Sequence, residues 1–276
     1  MTEERNGPGE GHSGERRTDT ADRPFLQRPQ GIIAVASGGL SFVAGIVALA
    51  FLFFPDVQPK PGPPELELVD VDLSKERDIQ ADWISGGGER ETRNWKTSLV
   101  TVMLRNSGDN PVAVSHAEFR FRSIDEVGCP YGAGGTEIKA RYDIKVPVGT
   151  QAPYRTTRKM MYTVPPHEQE RIAFSVGPAS VFGGSLPMVY TFDVVLHLDD
   201  NSKITLPAMT YMAPSGSEEV LAAAEAAMNN EETYGLTTEA CVREQERTAR
   251  KLAQGTAYVS PELRSYSAEL TRLVSG

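Results

Sequence analysis

The sequence predicts a mainly β protein: an antiparallel sandwich over residues 65–213, preceded by one N-terminal transmembrane helix and followed by a C-terminal helical segment over 214–276. Three observations carry this expectation. Residues 31–54 read GIIAVASGGLSFVAGIVALAFLFF without a single charge. Downstream of Glu65, apolar and polar residues alternate with period two in short runs separated by Gly, Pro, Asn and Asp. After Pro214 the apolar spacing changes to that of amphipathic helices.

Residues 1–30 are rich in Gly, Arg, Glu and Thr, have almost no apolar content before Phe25, and are expected to form a disordered cytoplasmic tail. Residues 31–54 follow as a helix of about 36 Å, enough to cross a hydrocarbon core of about 30 Å with some tilt. Arg5, Arg16, Arg17, Arg23 and Arg28 precede the span, whereas Lys60 and Lys75 are the only basic residues in the twenty or so after it. Basic flanks stay cytoplasmic, so the N-terminus is placed inside and the domain outside. Ala48-Leu49-Ala50 fits a signal-peptide cleavage pattern, but the apolar run continues through Phe54 and is longer than a signal core, which favours a retained anchor. Ser37, Ser41 and Gly45 stand four apart on one helical face, a spacing that lets helices pack closely and is also common in lipid-facing spans. Pro55, Pro59, Pro61, Pro63 and Pro64 then predict a semi-rigid stalk over 55–64.

The strand region opens with Leu66–Leu73. Leu99 to Asn106 alternates through Val100, Val102 and Leu104, and Ser107 to Pro111 is a turn cluster. From Pro111 to Ser123 the phase shifts between Val114 and Ala117, which places a bulge near His116. Tyr142–Val146, Arg158–Val164 and Ile172 to Val176 are further candidates. Met188 to Leu198 is the clearest, and Asp199-Asp200-Asn201-Ser202 turns it into Lys203–Leu206 as a hairpin. Seven or eight antiparallel strands, each with one solvated face, are best buried as two packed sheets. The stretch Val102–Val114, VMLRNSGDNPVAV, resembles the strand-turn-strand signature of bacterial surface domains with an immunoglobulin-like sandwich. With the leader and single span, the chain is similar to uncharacterised envelope proteins of actinobacteria, a resemblance that implies location and fold class but no activity. The Cys–Trp–Cys core of antibody domains is absent, since Trp83 and Trp95 both precede Cys129.

In the helical segment, Ser217 with Glu218 and Glu219 reads as a helix start. Thr237 or Thr238 is placed to cap a second helix over Glu239 to about Gln254. Ser260-Pro261-Glu262 opens a third, with Leu263, Tyr266, Leu270 and Leu273 on one face that needs an apolar partner.

Formal charge is −9, nearly all of it beyond the span, which argues against nucleic acid and against tight adhesion to anionic lipid. Cys129 and Cys241 lie on the oxidising side, where an even pair either bonds or stays as two buried thiols. Gly86-Gly87-Gly88 and Gly132 to Thr136 lack the Gly-Lys-Ser/Thr ending of a phosphate loop and read as loops. Asp70 with Asp72, and Asp199 with Asp200 and Asn201, offer hard oxygens without a full calcium ligand set and read as strand and turn residues. His116, His167 and His197 lack nucleophile and metal-protease motifs and are expected at the surface. Trp83, Trp95, Tyr131, Tyr142 and Tyr154 are expected in loops that plug the end of the sandwich.

No catalytic residue, metal ligand or cofactor is therefore assigned. The leading expectation is a non-enzymatic, single-pass interaction module of the cell envelope. The alternatives are a binder of, or enzyme on, cell-wall glycan with its site on the glycine-rich loops, and an accessory subunit of a membrane complex assembled through Ser37, Ser41 and Gly45.

Overall fold

A computed structural model describes residues 65–132, 137–213, 217–230 and 237–276. The expected leader, span and stalk, with Ser37, Ser41 and Gly45, lie outside these residues. Among the described residues no helix is long and apolar enough to cross a membrane.

The described part is mainly β, with several sheets and a few helices. Its strands are β1 (Leu66–Ile84), β2 (Arg90–Asn106), β3 (Val112–Glu126), β4 (Glu137–Ala140), β5 (Ile144–Val146), β6 (Tyr154–Val164), β7 (Gln169–Pro178), β8 (Val181–Phe182), β9 (Met188–Leu198), β10 (Lys203–Thr205), β11 (Met209–Ala213) and β12 (Tyr258–Val259). The helices are α1 (Ser217–Met228), α2 (Glu239–Gln254) and α3 (Pro261–Ser275). One sheet runs β5-β7-β2-β1-β4-β8; the other runs β12-β11-β9-β3-β6, with β10 on β9.

Alternation explains how the two sheets bury one core. Val100, Val102 and Leu104 of β2 and Ile172, Phe174 and Val176 of β7 join Val114, Ala117, Phe119 and Phe121 of β3 and Tyr190, Phe192, Val194 and Leu196 of β9 in a single buried cluster. Phe119 of one sheet meets Phe174 of the other edge-on, with centroids 5.3 Å apart. The bulge expected near His116 is present: on both sides of β3 the register shifts between Val114 and His116. The Asn of the strand-turn-strand signature has a mechanical role. Asn106 is fully buried; its Nδ2 donates to the carbonyls of Asn110 (2.7 Å) and Val164 (3.0 Å), and its Oδ1 accepts from Gly108 N at 3.0 Å. One side chain thus closes the turn and ties it to the end of β6.

The strand count exceeds the expected seven or eight because β4, β8, β11 and β12 are too short to show alternation, and polar stretches hid the full length of others. β1 and β2 extend ten or so residues past the alternating cores as a long hairpin. Its Ser85–Glu89 turn places Gly88 at φ 83°, a conformation that favours glycine. β6 begins at Tyr154 rather than Arg158, because YRTTRK lies on a sheet edge and has no apolar alternation to reveal it.

The helical segment follows its sequence signals. Thr238 caps α2 and Ser260 caps α3, with Pro261 in its first turn. Ser260 Oγ accepts from Leu263 N (3.4 Å) and from Met212 N (3.1 Å), so one hydroxyl both starts the helix and fastens it to β11. The apolar face of α3 finds its partner within the chain: Leu263, Tyr266 and Leu270 pack with Val242 and Ala249 of α2, Val220 of α1, Val189 and Met212 of the second sheet, and Val127 just after β3. Tyr266 OH donates to Val127 O at 2.9 Å. Cys129 and Cys241 are joined, with Cα atoms 6.1 Å apart, pinning α2 to the loop after β3. The β9 face expected to be solvated is therefore partly covered, with Val189, Asp193 and Val195 buried as well as the inner residues.

Candidate functional site

The register of β3 with its neighbours, just short of its bulge, builds one row of side chains on the outer face of the second sheet. Lys203 of β10 pairs with His197 of β9, His197 pairs with His116 of β3, and His116 pairs with Lys159 of β6. At the usual spacing between strands the row runs about 14 Å across four strands. The two lysines at its ends are exposed and form no ion pair among the described residues. The imidazoles between them stack, with centroids 4.0 Å apart and planes 19° apart. Ser115 Oγ lies 3.0 Å from His116 Nδ1 and donates to His197 O at 3.0 Å, which holds the pair in place. A shallow groove lined by Ser115, His116, Thr157, Lys159, Met160 and Met161 opens beside it.

The adjacent rows carry the counter-charge. Glu118 pairs across to Thr157 and Val195, and Arg120 pairs across to Asp193 and Arg155. Glu118 accepts from Arg120 Nε at 3.0 Å, lies 3.7 Å from Arg155 Nη1 and 3.4 Å from His197 Nε2. The Arg120 hydrogen bond, then His197 and the Arg155 charge, outweigh its burial and hold the Glu118 carboxyl down to about 2. Arg122 Nε donates to Asp193 at 2.7 Å. The arginines on this face are thus tied to carboxylates while the lysines are not. Burial is the largest influence on His116, lowering its pKa below the ordinary imidazole value; His197, Lys203 and Lys159 lower it further and Glu118 opposes them.

His197 was expected as an ordinary surface residue. Its side chain is only 18% exposed, because stacking on His116 and the contact with Glu118 cover it. Sequence offered no signal for the row, since pairing partners about 80 residues apart leave no local pattern. His167 does lie at the surface, in a turn beside Asp109 (3.1 Å).

The other nominated residues are dispersed. Trp83 and Trp95 lie on strands, not in loops at the end of the sandwich; they meet edge-on at 5.6 Å beside β4, with Arg93 over the Trp83 ring at 4.9 Å. Polar flanks disguised those strands. Trp95 Nε1 donates to Tyr142 OH at 3.0 Å, and burial pushes that phenol up to about 12. Tyr142 also explains Gly177, where an added Cβ would come within 2.2 Å of its ring. Tyr154 opens β6 and packs on Phe121, centroids 5.7 Å apart. Tyr131 is half-buried, and burial raises its pKa. Asp70 accepts from Val71 N at 2.9 Å, and Asp200 accepts from Ser202 N (2.8 Å) and Oγ (2.6 Å), closing the hairpin turn in which Asn201 has φ 68°. No group of three or more His, Cys, Asp or Glu side chains among the described residues is placed to hold a metal ion. Gly86–Gly88 caps the long hairpin; of the second glycine run, 133–136 lie outside the described residues. A pocket between the sheets' ends, lined by Ile124, Glu126, Val146, Pro178, Leu186 and Tyr190 among others, draws on none of the nominated glycines, acids or aromatics.

No protein-family model matches the chain, and no curated protein matches it. Among solved structures, one similar chain is a protein described as a late embryogenesis abundant (LEA) protein, determined in solution. It aligns over 65% of this chain and 85% of that one at 12% identity, with a TM-score of 0.23, a likeness too distant to carry an argument.

Proposed function

We propose that the protein is a single-pass interaction module of the cell envelope, non-enzymatic, with its N-terminus cytoplasmic and an immunoglobulin-like sandwich held outside on a proline stalk. The observation that supports it most is the uncovered end of the second sheet. Three helices cover the apolar part of that face, yet the charged row from Lys203 to Lys159 is left open. A preorganised, solvated, charged surface on a rigid sheet is suited to recognition. The anchor at 31–54 supplies the location, and the link between Cys129 and Cys241 suits an oxidising compartment.

Both native cysteines are bonded, so one added cysteine is the only free thiol. Gly87 accepts a side chain, since its nearest neighbour is Ser85 Oγ at 3.7 Å. Gly87→Cys in intact cells should react with a membrane-impermeant maleimide. Labelling that appears only after lysis overturns the external placement.

A further inference from the structure

We infer that the row Lys203–His197–His116–Lys159 is a binding site for a linear, carboxylate-bearing glycan. The inference deepens the interaction-module reading and rests on it for its location.

The geometry limits the occupant. The row is straight, crosses four strands and presents one nitrogen-bearing side chain per strand, so it matches a chain whose charges repeat along its length. Its lysines are exposed and stand free of carboxylates among the described residues, in a chain whose formal charge is −9. Cationic side chains kept unpaired on an acidic protein are a local field of opposite sign, which draws an anion to that place rather than to the surface at large. No aromatic ring other than the imidazoles belongs to the row or lines its groove. A nucleic-acid strand would need stacking platforms, which this face does not supply, and its groove holds two methionines, Met160 and the exposed Met161, but no aromatic anchor of the kind that dominates protein interfaces. The arginine forks that would grip phosphate are occupied: Arg120 and Arg155 by Glu118, Arg122 by Asp193. What remains are point charges on flexible stems and imidazole donors, which suit singly charged carboxylates spaced along a sugar chain.

Proton uptake follows from the stack. His116 faces Ser115 and Glu118 on its own strand, His197 on β9, Lys203 on β10 and Lys159 on β6. Three of these neighbours oppose a proton on it and one favours it. An anion laid along the row cancels the opposition, so the bound state takes up protons that the free state declines. Glycan carboxylates ionise near pH 4, below the range in which an imidazole takes up its proton, so they stay charged while His116 gains charge.

The test uses the full chain in detergent micelles, titrated calorimetrically with polygalacturonate, with polyphosphate and neutral dextran as comparison polymers. Polygalacturonate should bind roughly tenfold more tightly at about pH 5.5 than at 7.5. Lys159→Gln with Lys203→Gln should weaken it roughly tenfold at both pH values. His116→Gln should abolish the pH dependence, and Lys251→Gln, exposed on α2, should change nothing. No binding of polygalacturonate, binding indifferent to the lysine pair, or equal binding of polyphosphate overturns the inference. The micelle assay does not depend on topology. A failed titration with external labelling of Gly87→Cys therefore removes the glycan site and leaves the interaction module standing, whereas internal labelling removes the module whatever the titration shows.

Discussion

The same face of the same strand has two different fates. Along β9, Val189, Thr191, Asp193, Val195 and His197 all point away from the sandwich core by the two-residue period. At the Val189 end that face is apolar and is covered by α1, α2 and α3, which pack on Val189, Met212 and Val127. At the His197 end it is charged and open, with Lys203, His116 and Lys159 alongside. The helical segment therefore completes a core where the sheet offers apolar surface, and stops where the sheet turns polar. Stability should reside at the covered end, and recognition at the open one.

The covered end is the place to break first. The link between Cys129 and Cys241 closes a sequence separation of 112 residues and spans the two parts of the fold. Cys129→Ser with Cys241→Ser should cost about 5 kcal/mol by the chain-entropy account. Denaturant unfolding followed by circular dichroism measures it, and a change near zero would mean that helix packing alone holds the segment. Ser260→Ala comes next, at about 2 kcal/mol, since it removes the cap of α3 and leaves Met212 N without its acceptor. A cost of a few tenths would show that the two roles of this hydroxyl are not both used.

At the open end Glu118 is the exception that carries stability, because it neutralises the arginines around it. Its carboxyl sits at about 2 in the folded chain against an ordinary 4.5. A depressed carboxyl contributes stability above the unfolded value and loses it as pH falls through the folded one. Glu118→Gln should cost of order 1–2 kcal/mol at neutral pH, less than the full shift implies because the site is partly solvated. The gap between variant and parent should close as pH falls from 4.5 towards 2. A pH-independent gap would mean that the contacts of Glu118 are steric.

How much of this was legible in the sequence depended on whether the signal was local. The caps Thr238 and Ser260, the hairpin turn at Asp199–Ser202 and the bulge at His116 were legible, because each is set by residues a few positions apart. The extensions of β1 and β2 were not, since pairing at a sheet edge or in a long hairpin needs no apolar alternation. Nor was the row itself. His116 and His197 are 81 positions apart, and Lys159 joins them through the continuous pairing of β3 with β6, from Phe121 with Tyr154 to His116 with Lys159, just short of the bulge. Trp83 and Trp95 misled for a related reason: polar neighbours made strand residues look like loop residues.

The smallest effect sharpens the comparison most. Lys159→Gln and Lys203→Gln lie on an open face and should each leave unfolding free energy within about 0.5 kcal/mol of the parent, even though together they weaken binding. His116→Gln should act on stability only through pH. Burial and the charges of His197, Lys203 and Lys159 hold the folded imidazole below its ordinary 6.5, against the pull of Glu118. Between those two values the unfolded chain binds more protons than the folded one, so parental stability rises with pH there and is lost as pH falls below 6.5. His116→Gln should flatten that slope and leave the plateau above pH 7 unchanged. A slope that survives in the variant assigns it to another group. A slope that disappears shows that the open end of the sheet keeps its imidazole short of a proton, which is the condition under which a bound anion can draw one onto it from solvent.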